Sequence, residues 1–212
     1  MNTFHSWGET LKLLVELAGT AAFALSGVLE GARKRLDAVG VCVVGFLAAF
    51  GGGTLRDLLL DQRPFFWVRH VEMLWGVLGL CALAMLFLRH RHFRITEKAI
   101  QWPDALGLGL FAATGVHQTL SLEMPALVAV LMGVITGVFG GVLRDIVCNE
   151  IPSAFSDHRP YAVCAFAGGW VYVGLWQAGA PEWVALLACI GVTAGARALA
   201  LWRDWTLPAW RV

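Results

Sequence analysis

The sequence predicts an all-α membrane protein of seven transmembrane helices, built as two inverted three-helix repeats followed by a seventh helix. Three observations lead there: a composition too apolar for water, apolar stretches of spanning length, and a motif that returns after 88 residues.

Hydrophobic residues make up 58% of the 212 residues and charged residues only 15%. Mean hydropathy is +0.67, whereas a soluble domain carries about 25% charged residues. The apolar stretches run to about 18–22 residues, and roughly 20 residues of helix cross the hydrocarbon. Helices are expected at about 12–31, 39–60, 70–88, 103–120, 125–148, 160–177 and 182–202. Helix is the only sensible spanning structure, because backbone polar groups in lipid must be satisfied within the segment and the alternating pattern of a membrane barrel is absent. Spans and connections use up the chain, so 1–212 reads as one transmembrane domain without a soluble catalytic domain.

The first stretch begins near Leu11, lacks a basic leader and runs into Gly31-Ala32-Arg33-Lys34-Arg35 rather than a cleavage site. It is therefore read as a retained helix. With the N-terminus outside, the cytoplasmic loops hold Arg33, Lys34 and Arg35, then Arg89, Arg91, Arg94 and Lys98, then Arg159, and finally Arg203 and Arg211. The opposite side holds only Lys12, Arg63 and Arg69. The positive-inside rule thus predicts an inner-membrane protein with its N-terminus outside and its C-terminus cytoplasmic. Of the ten tryptophans, Trp67, Trp75, Trp102, Trp183 and Trp202 are among those near span ends, where lipid headgroups favour the amphipathic ring. A net charge of +1 gives no basic field for nucleic acid. Cys42, Cys81, Cys148, Cys164 and Cys189 read as buried thiols, without a C-x-x-C pair. In the seventh helix Gly191 and Gly195 have small-xxx-small spacing, which suits packing within the chain or against a second copy.

The repeat is the most informative feature. Gly53-Thr54-Leu55-Arg56-Asp57 returns as Gly141-Val142-Leu143-Arg144-Asp145, and the same offset pairs Gly52 with Gly140 and Pro64 with Pro152. It also pairs Gly19 with Gly107, Phe23 with Phe111, Ser26-Gly27 with Thr114-Gly115, Glu16 with Asp104, and Glu30 with Gln118. Each unit holds three spans, so the second copy enters the membrane from the opposite side. Inverted repeats of this kind typify transport proteins, with the solute path between the halves.

Gly51, Gly52 and Gly53 fall near mid-span, where each costs about 1 kcal/mol relative to alanine. Either the helices pack closely through a side-chain-free surface, or the helix kinks and exposes backbone to a cavity. The run of three, echoed by Gly140 and Gly141, favours a kinked, path-lining helix. One turn on lie Arg56-Asp57 and Arg144-Asp145, and an ionisable group near mid-membrane costs at least ~2.5–3.5 kcal/mol. Adjacent helix positions point about 100° apart, so each Arg and Asp is expected to pair with another helix rather than with its neighbour. The arginines are read as gate or brace groups, since a cation path would be repelled by them. The aspartates are equally bracing or ion-contacting.

Thr54, Ser26, Thr114 and Glu30 are candidate lining residues, although hydroxyls often bond back to their own helix. Asp104, which follows Pro103, is expected to sit at a helix start and complement its dipole. His117, like the exposed His90, Arg91 and His92, is expected at the interface. Metal-ligand spacing, a nucleophile elbow, a P-loop and a dinucleotide fingerprint are all absent from the sequence, so no catalytic residue, cofactor or metal is expected and an enzyme reading is poor.

Gly-Gly-Gly-Thr-Leu-Arg-Asp at 51–57 and Gly-Gly-Val-Leu-Arg-Asp at 140–145, followed by Pro152, resemble the prokaryotic TRIC (trimeric intracellular cation) channel family. Its bacterial branch is also described as glycine transporters. The resemblance covers about residues 10–205. It implies a homotrimer in membrane lipid with a pore in each protomer, lined by the glycine-kinked second and fifth helices and conducting K⁺ and Na⁺. The alternative is a secondary transporter of glycine or another small neutral solute, and a purely structural membrane protein would use the glycines for packing alone.

Overall fold

The computed structural model describes residues 3–89, 96–206 and 208, with side chains over 10–87, 96–206 and 208. His90, Arg91, His92, Arg94 and Arg211 lie outside the described residues. The elements are α1 (Thr3–Arg33), α2 (Ala38–Leu59), α3 (Phe66–Arg69), α4 (Val71–Arg89), α5 (Glu97–Ser121), α6 (Ala126–Val147), α7 (Ser153–Ser156), α8 (Ala162–Gln177) and α9 (Glu182–Trp202). Residues Thr10–Arg33 of α1, with α2, α6 and α9, are long and apolar enough to cross a membrane, and α4 and α8 carry shorter apolar helices.

α5 differs for a physical reason. It packs against α1, α6, α8 and α9, and its Asp104, Thr114, His117 and Thr119 are all buried. A helix wrapped by other helices does not have to be apolar toward lipid. It also starts six residues before the expected position, at a cap where the Thr96 side chain accepts from the Ala99 N–H, which leaves Pro103 inside the helix. Asp104 therefore does not sit at a helix start, and the dipole role expected for it is corrected. α3 and α7 were not anticipated either, since four residues are too few to carry a hydrophobic period.

The repeat governs the packing. A Cβ on Gly19 would lie 2.9 Å from the Phe111 ring, and one on Gly107 would lie 2.7 Å from the Phe23 ring. Phe23 and Phe111 meet at 5.4 Å between centroids. At the crossing of α2 and α6, a Cβ on Gly52 would overlap the Thr136 carbonyl oxygen and one on Gly140 would overlap that of Ala48. These contacts are reciprocal between residues 88 apart, as across a two-fold axis. Residue numbers rise on one helix as they fall on its mate, so α1 and α5, and likewise α2 and α6, run antiparallel.

The helix ends repeat as well. Asp61 and Asn149 close α2 and α6 in the left-handed region, at φ of 51° and 56°. The next N–H returns to the Asp57 and Asp145 carbonyls at 2.7 and 2.9 Å, a Schellman closure with side chains that tolerate that conformation. α9 has no mate. It packs on α8 and α5, and with nothing within 4 Å of a Cβ on Gly191 or Gly195, that glycine seam does not serve packing within the chain.

α2 and α6 run unbroken through their glycines. Gly52 and Gly140 let two backbones touch, Gly53 lies under the Phe66 ring, and a Cβ on Gly51 would come 2.6 Å from Leu143. Gly52→Ala should therefore destabilise the protein by ~1–3 kcal/mol, because backbone cannot yield as a side chain can. Gly174→Ala on α8, with open space around it, should be neutral or stabilising by up to ~1 kcal/mol. Thermal unfolding in detergent measures both.

Candidate functional site

Each repeat ends its central helix in a buried charged station. At the first, Arg56 Nε donates to Asp57 Oδ1 at 2.9 Å, Nη2 lies 2.8 Å from the same oxygen, and Nη1 lies 3.7 Å from Glu16 on α1. The Phe66 ring stands 5.3 Å from the guanidinium carbon. At the second, Arg144 Nε donates to Asp145 Oδ1 at 2.8 Å, and Nη1 donates to Asp104 on α5 at 2.5 Å and to the Ser26 hydroxyl on α1. The expectation that neighbouring Arg and Asp do not meet is thus corrected. Their Cβ vectors do diverge, but the arginine side chain is long enough to fold its Nε back over the next position. Both arginines pair across helices as well.

The aspartates have a second task. Asp57 Oδ2 accepts from the Phe66 N–H at 2.7 Å, and Asp145 Oδ2 accepts from the Ser153 N–H at 2.8 Å and the Ser153 hydroxyl at 3.0 Å. Each carboxylate thereby caps the first N–H of a short helix, α3 or α7, and folds the loop back onto the station. Of the other candidates, Thr54 donates to the Phe50 carbonyl and accepts from Trp67 Nε1. Thr114 donates back to Phe111. Glu30 pairs with Arg33 at 2.9 Å.

Each station floors a cavity. The first, about 340 Å³, is lined by Lys12, Glu16, Arg56, Asp57, Arg69 and His70 among others. The second, about 200 Å³, is lined by Glu30, Arg33, Glu97, Arg144, Asp145, Glu150 and Asp157 among others. Gln118, mate of Glu30, lines the first. The cavities are mates, and Glu16 and Glu30 on α1 place them roughly 21 Å apart at 1.5 Å per residue. Between them α2 and α6 press together at Gly52 and Gly140. The first mouth sets three Lys and Arg residues against two carboxylates, and the second sets two against five.

Residues that sequence reasoning missed cluster at the second mouth. Arg33 also reaches Glu97 at 3.0 Å, and Lys34 pairs with Glu150, so part of the basic run read as a topology signal latches this mouth. The Glu150 carboxyl is held below its usual range by that hydrogen bond and charge. Tyr161 donates to Asp104 Oδ2 at 2.6 Å, and Arg197 of α9 stacks 4.8 Å from the Tyr161 ring. An arginine inside the seventh apolar stretch was the visible signal for it. His117 lies near the end of α5. It is buried, 2.8 Å from the Tyr172 hydroxyl and 3.3 Å from Glu182, because α8 and α9 cover the end of α5.

A family model described as glycine transporter matches residues 13–89 and again 101–177, two segments displaced by the repeat offset of 88. The chain belongs to that family. Its relatives in the glycine transporter family include a UPF0126 membrane protein of Vibrio cholerae, 41% identical over 160 residues, which are 76% of this chain and just under two thirds (66%) of the relative. The UPF0126 inner membrane protein YadS of Escherichia coli is 39% identical over 74% of this chain and 75% of its own length. The fold is that of TRIC channels. The TRIC trimeric intracellular cation channel orthologue from Rhodobacter sphaeroides superposes with a TM-score of 0.84 at 33% identity, over 92% of this chain and all of that one.

The stations differ in how tightly the arginine is held. Asp104→Ala, which removes the 2.5 Å partner of Arg144, should cost ~3–5 kcal/mol, the penalty for stranding a buried charge. Glu16→Ala, which removes a partner at 3.7 Å, should cost clearly less. Thermal unfolding of the two variants side by side measures the difference.

Proposed function

We propose that the protein is a monovalent-cation (K⁺, Na⁺) channel whose pore runs within each protomer from the first cavity to the second. The observation that supports this best is the pair of mated cavities, each floored by a charged station, on either side of the α2–α6 crossing. The TRIC channel likeness points the same way. On this reading all seven long helices cross the inner membrane, as one domain over 1–212, with the first mouth outside and the second in the cytoplasm. α2 and α6 part and kink at their glycines to open the constriction, where backbone carbonyls replace part of the ion's hydration shell. Arg56 and Arg144 act as gates, held by Asp57 and Asp145. The assembly is a homotrimer in lipid, and neither cofactor nor nucleic acid takes part.

The second mouth, richer in carboxylates, gathers cations before the constriction. A glycine carrier is the second reading, favoured by the family's description, and it would work by alternating access about the repeat interface.

Purified protein in a planar bilayer under a K⁺ gradient should give discrete current steps. Saturable, gradient-driven glycine uptake without steps would replace the channel by the carrier. Glu97→Gln with Glu150→Gln should lower current for cations entering at the second mouth by about two-fold in low salt, and by less at 1 M, where the screening length is about 3 Å. An unchanged current at low salt would sink the funnel.

A further inference from the structure

The two stations are mates, and a chain of contacts leads from the second to Arg197 of α9. Asp104 gives one carboxylate oxygen to Arg144 and the other to the Tyr161 hydroxyl at 2.6 Å. The residue 88 positions before Tyr161 is Met73, a buried core side chain packed in an apolar cluster. Among the described residues, the mate of Tyr161 thus offers Glu16 no hydroxyl.

Tyr161 is itself held. Arg197 is 1% exposed, stacks over the ring at 4.8 Å, donates from Nη1 to the Pro160 carbonyl at 3.1 Å, and from Nη2 to Asp157 Oδ2 at 3.1 Å. Arg159 grips the other oxygen of Asp157 at 3.2 Å and reaches Asp204, beyond α9, at 2.8 Å. A guanidinium buried in an apolar helix is costly and persists where it has a task. Its contacts all lie on the segment that carries the second station's loop.

From this chain of contacts we infer that Arg197 is the positioning residue of the second gate: anchored by Asp157, it holds Tyr161, Tyr161 fixes the Asp104 carboxylate, and Asp104 holds Arg144 across the mouth. α9, outside the repeat, thereby controls one end of the path and not the other. Arg197 does not line the cavity, so it sets how often the gate opens and not how fast ions pass once it is open. The inference rests on the channel reading for its electrical consequence, but the coupling itself does not require it.

The test uses the full-length protein in bilayers, with hydrogen–deuterium exchange on the same preparations. Arg197→Gln should raise open probability about five-fold or more, the lower end of ordinary coupling energies, at unchanged unit conductance. Tyr161→Phe should do the same, and the double variant should add little to either single one. Arg197→Lys should restore part of the closed bias. Exchange should rise in residues 149–160 and stay unchanged in the mated loop, 61–72.

Additive effects, a change in unit conductance for Arg197→Gln, or equal loosening of both loops would overturn the inference. If Arg197→Gln fails to fold, Tyr161→Phe and Arg197→Lys decide it by the same readouts. If the wild-type protein carries no current, the channel reading fails. The exchange difference between the two loops then decides the coupling alone.

Discussion

A guanidinium inside a membrane bundle is tolerable only where carboxylates and hydroxyls meet it, and this chain faces that requirement at two mated places. At each, the arginine takes the following aspartate and an acid one helix away, while the aspartate's second oxygen caps a short helix. One charged pair thus fixes the end of a long helix, the loop after it and the helix beside it. Breaking any member strands a buried charge, so the stations hold the bundle as well as flooring its cavities.

Between the stations the constraint is steric. Backbone meets backbone at Gly52 and Gly140, and the same logic recurs where α1 packs on α2 and α5 on α6. A Cβ on Gly27 would lie 2.8 Å from Ala48, and one on Gly115 would lie 2.6 Å from the Thr136 hydroxyl, Ala48 and Thr136 being mates themselves. Side-chain-free surfaces at four crossings draw the helices close enough to bury the guanidiniums fully.

Much of this was legible in the sequence. Seven apolar stretches and an offset of 88 give helices, mates and antiparallel sense without coordinates, because hydropathy and repetition are local properties of the chain. The pairing of Arg56 with Asp57 was not legible from Cβ directions, since it depends on how a long side chain folds. Asp104 was misplaced because the Thr96 cap starts α5 before Pro103, and the burial of His117 by α8 and α9 is decided across the whole bundle. Tyr161 carries no periodic signal at all. Arg197 did carry one, as a lone charge in an apolar stretch, but only the fold says what it touches.

Where the mates agree and where they differ is itself informative. Gly19 and Gly107, Gly27 and Gly115, Gly45 and Gly133, and Gly52 and Gly140 are all glycine pairs at helix crossings. Some differences fall about the cavities, as with Glu16 against Asp104 and Gln118 against Glu30, and others fall along the central helices, as with Ala48 against Thr136 and Gly51 against Phe139. A two-fold bundle with identical ends would meet the two sides of a membrane in the same way. By keeping these glycine pairs and varying residues about the two cavities, the chain retains one way of packing and gains two unlike ends, one with more cations than carboxylates, the other acidic and tied to α9. A two-fold frame can thus present two chemically unlike ends, because the glycines that set its crossings and the charges that line its cavities are separate residues.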